Sequence, residues 1–234
     1  MCIRFVYRGD DIITGFNFDI DPAVWDHQII TAPDRFYLSI LRPDGLRHGY
    51  HGVHQNGNTG TLLYVHGNPS GQYQAGSDAL TISDLTEQFI QAQISWEEAL
   101  SIVQTKKIVY APDATMQAVL SDRYGRTLLI EPGIGSREDT GTYSLMANAS
   151  LLSPESTRPW LLPGDNRYEK AAQLLAKQGR RFSVSDAFAI LRTVRQEGPW
   201  ATRVSFVFSA KQRTVFYAEN SHFDSIQPYQ FPPV

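Results

Sequence analysis

A single cysteine, Cys2, in 234 residues excludes an internal disulfide framework. No apolar run approaches the roughly 18 to 20 residues that cross a bilayer, so no membrane association is expected. Basic residues nowhere cluster, and 21 Lys and Arg against 24 Asp and Glu leave a net charge of −3. That balance gives no footprint for nucleic acid. The opening ten residues, Met1 to Asp10, lack the basic region, apolar stretch and small-residue cleavage site of a secretory signal, and a cytoplasmic location is the expectation. Repeats, linkers and low-complexity tracts are missing too. Residues 1–234 therefore read as one domain, long enough to bury a sizeable core, with a homo-oligomer neither required nor excluded.

Aromatic residues are plentiful at 12% and favour strands, where rings pack well on a pleated surface. Two apolar runs, Cys2–Tyr7 and Ile12–Ile20, flank the turn Arg8-Gly9-Asp10-Asp11 and predict a β-hairpin. The period of two places Asn17 and Asp19 on one face of the second strand and Phe16 and Phe18 on the other. Further strands are expected at Arg35–Ile40, His51–Gln55 and Thr59–His66, and in the hairpins Met116–Asp122/Thr127–Glu131 and Arg203–Ser209/Thr214–Glu219. Ser83 and the capping box Ser95-Trp96-Glu97-Glu98 predict two helix starts. Two more helices are expected at Arg167–Lys177 and, from a cap at Ser183, Val184–Arg195. Residues 132–163 read as loop with one strand near Tyr143–Ala147. Strands, two helices, strands, two helices, strands: this order predicts an α+β fold of antiparallel sheets.

Cys2 follows the initiator methionine, so loss of Met1 would put a thiol and a free α-amine on one residue. An N-terminal amine is a recognised base for such a nucleophile. The ordinary pKa values, about 8.5 for the thiol and 7.7–8.0 for the amine, leave neither group mainly reactive at neutral pH without help from neighbours. Asp19, on the adjacent strand of the same hairpin, is placed to orient the amine. Read alone, Cys2 is also a small hydrophobe starting a strand, and Asp19 a strand-end residue that bonds a turn.

Met1-Cys2-Ile3-Arg4-Phe5 followed by Gly15-Phe16-Asn17-Phe18-Asp19 resembles the opening of the choloylglycine hydrolase family, conjugated bile acid hydrolases and penicillin V acylases among them, where Met-Cys precedes Gly-Arg-Asn-x-Asp. Later segments fall in the family's order: Gly52–Gly57, Thr61–Val65, Asp122–Glu131, Leu145–Ser150 and Gly164–Tyr168. The resemblance implies a four-layer αββα N-terminal nucleophile fold and hydrolysis of a linear, non-peptide N-acyl amide, with no cofactor and no metal. It implies Cys2 as nucleophile and Asp19 as holder of its amine. It also implies an oxyanion hole from the Asn148 side chain and the Tyr64 N–H, with Arg167 supporting the nucleophile. Without it, Asn148 is a turn residue and Arg167 a first-turn helix residue on a solvated face.

Phe16 departs from the family, standing where its members carry Arg, and is expected at the substrate pocket with an altered substrate polarity. An N-acyltransferase on the same scaffold and an inactive small-molecule binding module are the alternatives. His48, His51, His54 and His66 have poor metal-ligand spacing, alternating faces on a strand, and are expected at turns and rims. The glycine-rich stretches at 67–71 and 133–136 lack the lysine and strand-to-helix setting of a phosphate loop.

Overall fold

The computed structural model describes residues 2–76 and 78–232. The chain runs through β1 (Ile3–Arg8), β2 (Ile12–Asp19), β3 (His27–Ala32), β4 (Arg35–Leu41), β5 (Arg47–His54), β6 (Thr59–Tyr64) and the short β7 (Leu80–Thr81). Helices α1 (Ile82–Ile90) and α2 (Trp96–Thr105) follow. Then come β8 (Ile108–Val109), β9 (Met116–Ser121), β10 (Thr127–Glu131), β11 (Gly135–Glu138) and β12 (Tyr143–Met146). The last third holds α3 (Pro154–Thr157), α4 (Arg167–Ala176), α5 (Val184–Thr193), β13 (Thr202–Ser209), β14 (Thr214–Glu219) and β15 (Gln227–Gln230).

Two antiparallel sheets result, ordered β12-β1-β2-β13-β14-β15 and β11-β10-β9-β6-β5-β4-β3. Between them lies a core that includes Phe16, Phe36, Leu63, Leu129 and Phe206. The outer face of the first sheet packs Ile3, Phe5 and Ile13 against Ala171, Leu175, Ala187 and Leu191 of α4 and α5. On the other side, Leu85 and Phe89 of α1 and Trp96 and Ala99 of α2 cover Leu62, Leu120 and Leu128. Three apolar layers between four structural ones give the αββα order, and each helix buries one stripe because its apolar residues recur at helical spacing. Gly15 is fixed by a close approach: in register with Phe5, it lies under that ring, and an added Cβ would come within 2.2 Å of it.

Several boundaries differ from the sequence expectation. Helix α1 starts at Ile82 and is capped by Thr81, whose hydroxyl accepts from Asp84 N, rather than by Ser83. The capping box at Ser95 forms as expected, and Ser183, expected to open α5, forms a second one with Asp186. Strands β3, β7, β8, β11 and β15 were not anticipated; β3, β11 and β15 are edges of the two large sheets, and β7 and β8 form a separate two-stranded parallel sheet. No helix among the described residues is long and apolar enough to cross a membrane.

Candidate active site

Strand β2 carries the first part of the site. Cys2, at the threshold of β1, is buried, and its thiol lies 3.9 Å from the Asp19 carbonyl. The Asp19 side chain turns toward the helix-covered face, the same face from which Asn17 Nδ2 donates to Leu191 O at 2.9 Å. There the carboxylate accepts from Arg167 Nη1 at 2.7 Å and from the Thr202 hydroxyl at 2.6 Å. Thr202 reaches Asp19 at a register shift between β2 and β13, which breaks the ladder beside it.

Arg167 is the first residue of α4, and it is buried rather than on a solvated face. The Asn166 side chain makes no cap bond; Asp165 instead accepts from the Arg167 backbone N–H at 3.2 Å and from its side chain at 2.9 and 2.7 Å. The guanidinium is thereby aimed at Asp19 and also donates to Asn148 Oδ1 at 3.2 Å. That bond fixes the amide orientation, so the nitrogen end of Asn148 donates to Tyr64 O at 2.6 Å. Its second N–H has no bond among the described residues.

The loop bearing Asn148 is tied down on both flanks. Gln117 Nε2 donates to the Ala147 and Ala149 carbonyls at 2.8 and 3.1 Å. Buried Glu131 accepts from the Ser150 hydroxyl and from Leu151 and Leu152 N–H groups. Hydrogen bonds on both flanks hold a side chain in one place, and only Gln117 Oε1 of these groups is buried without a partner among the described residues.

Tyr64 ends β6. Val65 N donates to Thr115 O on the β9 side and Leu62 N to His51 Nδ1 on the β5 side. Backbone groups alternate along a strand, so the Tyr64 N–H points toward β5 as well. Strands β5 and β6 pair only at Gly52↔Gly60 and Val53↔Thr59, then part, with the His51 ring taking the place of the missing ladder partner.

The parted strands open onto a cavity of about 690 Å³ whose wall includes Cys2, Phe18, Asp19, Trp25, His51, Tyr64, Tyr110 and Trp160. Asn148 and Arg167 bond two residues of this wall, Tyr64 and Asp19. Phe16 is corrected from its expected place: it is fully buried, stacks on His51 at 5.3 Å, and does not line the cavity. The histidines also scatter. His48 bonds Asp44 and Glu87, His54 lies near Asp34, His66 stacks on Trp160, and His51 is buried between the sheets rather than at a rim.

Burial pushes the Cys2 thiol up to about 11, with Asp19 adding to the rise and Arg167 opposing it. Asp19 itself is raised by burial, against the pull of Arg167 and the Thr202 hydroxyl. A resting thiol here is protonated at neutral pH and needs a local base. Thr202, Asp165, Gln117 and Glu131 had no role in the sequence reading; only Asp165, two residues before Arg167, carried a local signal, that of a helix-start acid.

No family model and no curated protein matches the sequence. Solved structures do match. The chain is similar to a conjugated bile acid hydrolase from Clostridium perfringens, with a TM-score of 0.70 and 13% identity over 98% of this chain and 92% of that one. A penicillin V acylase from Agrobacterium tumefaciens gives 0.60 and 18% over 93% and 83%. The Caenorhabditis elegans ortholog of N-acylethanolamine-hydrolyzing acid amidase gives 0.61 and 13% over 99% and 100%. What is shared at these identities is the fold, the α+β architecture of layered antiparallel sheets that the resemblance to the choloylglycine hydrolases implied.

Proposed function

We propose that this protein hydrolyses a linear, non-peptide N-acyl amide through a thioester on Cys2, after Met1 has been removed. The observation that carries the reading is the unbroken hydrogen-bonded chain Asp19–Arg167–Asn148–Tyr64, which runs from beside the thiol to the parted strands along one cavity wall. The fold it shares with three amide-cleaving enzymes is consistent with it.

In this mechanism the freed α-amine takes the thiol proton and Sγ attacks the amide carbonyl. The carbonyl oxygen becomes an oxyanion, received by the Tyr64 N–H and the second N–H of Asn148. The amine returns the proton to the departing nitrogen as the C–N bond breaks, leaving an acyl thioester. Water then attacks that carbon, gives its proton to the α-amine, and releases the carboxylic acid and the thiol. Asp19, held by Arg167 and Thr202, anchors the amine throughout.

The test joins mass spectrometry to thiol labelling. The active protein should be lighter by one methionine residue, and an amide substrate should protect Cys2 from alkylation. An N-terminally extended form has no amine on Cys2, so its thiol should follow the raised pKa. Its labelling rate should climb about tenfold per pH unit between pH 7 and 9, because the thiolate fraction does. The trimmed form should label faster at neutral pH and level off as the amine deprotonates. Active protein that retains Met1 would overturn the proposal.

Asn148→Ala should lower kcat by about a hundredfold or more while labelling of Cys2 persists. An unchanged kcat would remove Asn148 from the oxyanion hole.

A further inference from the structure

The cavity holds polar groups that amide cleavage leaves unused. Exposure falls steeply from its rim to its floor: Trp160 is 64% exposed and Tyr64 47%, whereas Arg42 is 6% and His51 3%. At the floor, His51 Nδ1 accepts the Leu62 N–H, which puts the ring proton on Nε2. Burial, with the Arg42 and Arg4 cations nearby, holds the ring down to about 3, so it stays neutral in this tautomer.

Arg42 lies 4.9 Å over the Trp25 ring and 5.5 Å from Tyr50, and it bonds Asp113 through Nη2 alone. Arg42 Nε and Nη1 and His51 Nε2 have no bond among the described residues. None of the three is among the fully occluded unpartnered atoms, and both residues line the cavity. Their donors therefore face a chamber lined mainly by apolar and aromatic residues, Phe18, Ile40 and Leu62 among them, with Asp113, Thr115 and Gln72 also on its wall. Donors left unsatisfied in apolar surroundings favour a ligand that supplies an acceptor. Asp113 already balances the Arg42 charge, which favours an uncharged acceptor over a carboxylate.

The order of bond breaking says which half of the substrate meets them. The leaving amine departs while the acyl group is still tethered, so the amine side must face the open rim and the acyl chain the floor. Resting on the amidase reading, we infer that the cavity floor selects acyl chains bearing an uncharged oxygen acceptor, a ketone or an ether, which receives hydrogen bonds from His51 Nε2 and Arg42.

The test compares anilides of a plain straight-chain acid, of its mono-ketones with the ketone moved along the chain, and of the matching acid ending in a carboxylate. Calorimetry on the Cys2→Ala protein measures binding without turnover, and kcat/KM is taken on the wild type. One ketone position should bind about tenfold more tightly than the plain chain. Arg42→Gln and His51→Phe should each flatten that ratio. The inference is overturned if the plain chain binds as well as every ketone, or if the carboxylate binds best. Ketone-selective binding without wild-type turnover would keep the acceptor site and sink the amidase reading; turnover without selectivity would do the reverse.

Discussion

Cys2→Ala should fold as the wild type does and show no hydrolysis above background. The thiol sits at the margin of the core between the sheets, so losing one sulfur costs about 1 kcal/mol and leaves the circular dichroism spectrum unchanged. Turnover should fall at least a thousandfold, since without the sulfur no thioester can form. Rates measured on an amide with a chromogenic leaving group check this directly. Residual activity near the wild-type level would place the chemistry elsewhere and end the thioester mechanism.

Arg167→Met should have the largest effect on stability. The side chain is buried, and its removal takes the guanidinium from the Asp19 and Asp165 carboxylates and releases Asn148. Breaking a buried pair in this way costs about 3–5 kcal/mol, a fall in Tm of about 10 °C for a chain of this size. The sign of the pH dependence follows from Asp19. Burial already raises this carboxyl, and without its cation it rises further. An acid whose folded pKa lies above its unfolded value is destabilising at neutral pH and relieved as the solution is acidified through the folded value. The deficit of Arg167→Met should therefore be largest in mild alkali and shrink as the pH falls toward about 7, the value to which burial already raises Asp19 in the intact protein. Adding Asp19→Asn should recover part of the lost stability, a coupling that a double-mutant cycle in urea measures. Additive losses would mean that the two side chains act independently.

How far the sequence carries can be judged from particular elements. The capping boxes at Ser95 and Ser183 and the hairpins around Gly125 and Lys211 are local devices, written in adjacent residues and formed as written. Of the five strands that escaped notice, β3, β11 and β15 are edges of the large sheets, where one side needs no apolar neighbour, and β7 and β8 are two-residue strands that pair only with each other. Strand β11 is Gly-Ser-Arg-Glu, and β15 carries Pro228, tolerable only where a donor is dispensable. The α1 cap slipped by two residues because Thr81 and Ser83 offer competing hydroxyls before the same apolar stripe.

For the site, Cys2 and Asp19 are legible through strand periodicity. The links among Asp19, Thr202, Arg167, Asn148 and Tyr64 are not, since they join residues 19 to 183 positions apart. No periodicity encodes such meetings. Phe16 shows the converse: a position singled out by contrast with other sequences is spent on packing, with its ring laid against His51.

The parting of β5 and β6 bears on how this chamber can evolve. A hollow formed where a sheet forks has its width set by backbone divergence, and a single side chain, His51, props the fork open. Trimming aromatic rings at the mouth would alter admission without changing depth. Swapping the prop would let the tines close or spread, so a chamber of new shape is more readily reached by changing residue 51 and its neighbours than by remodelling the surrounding loops.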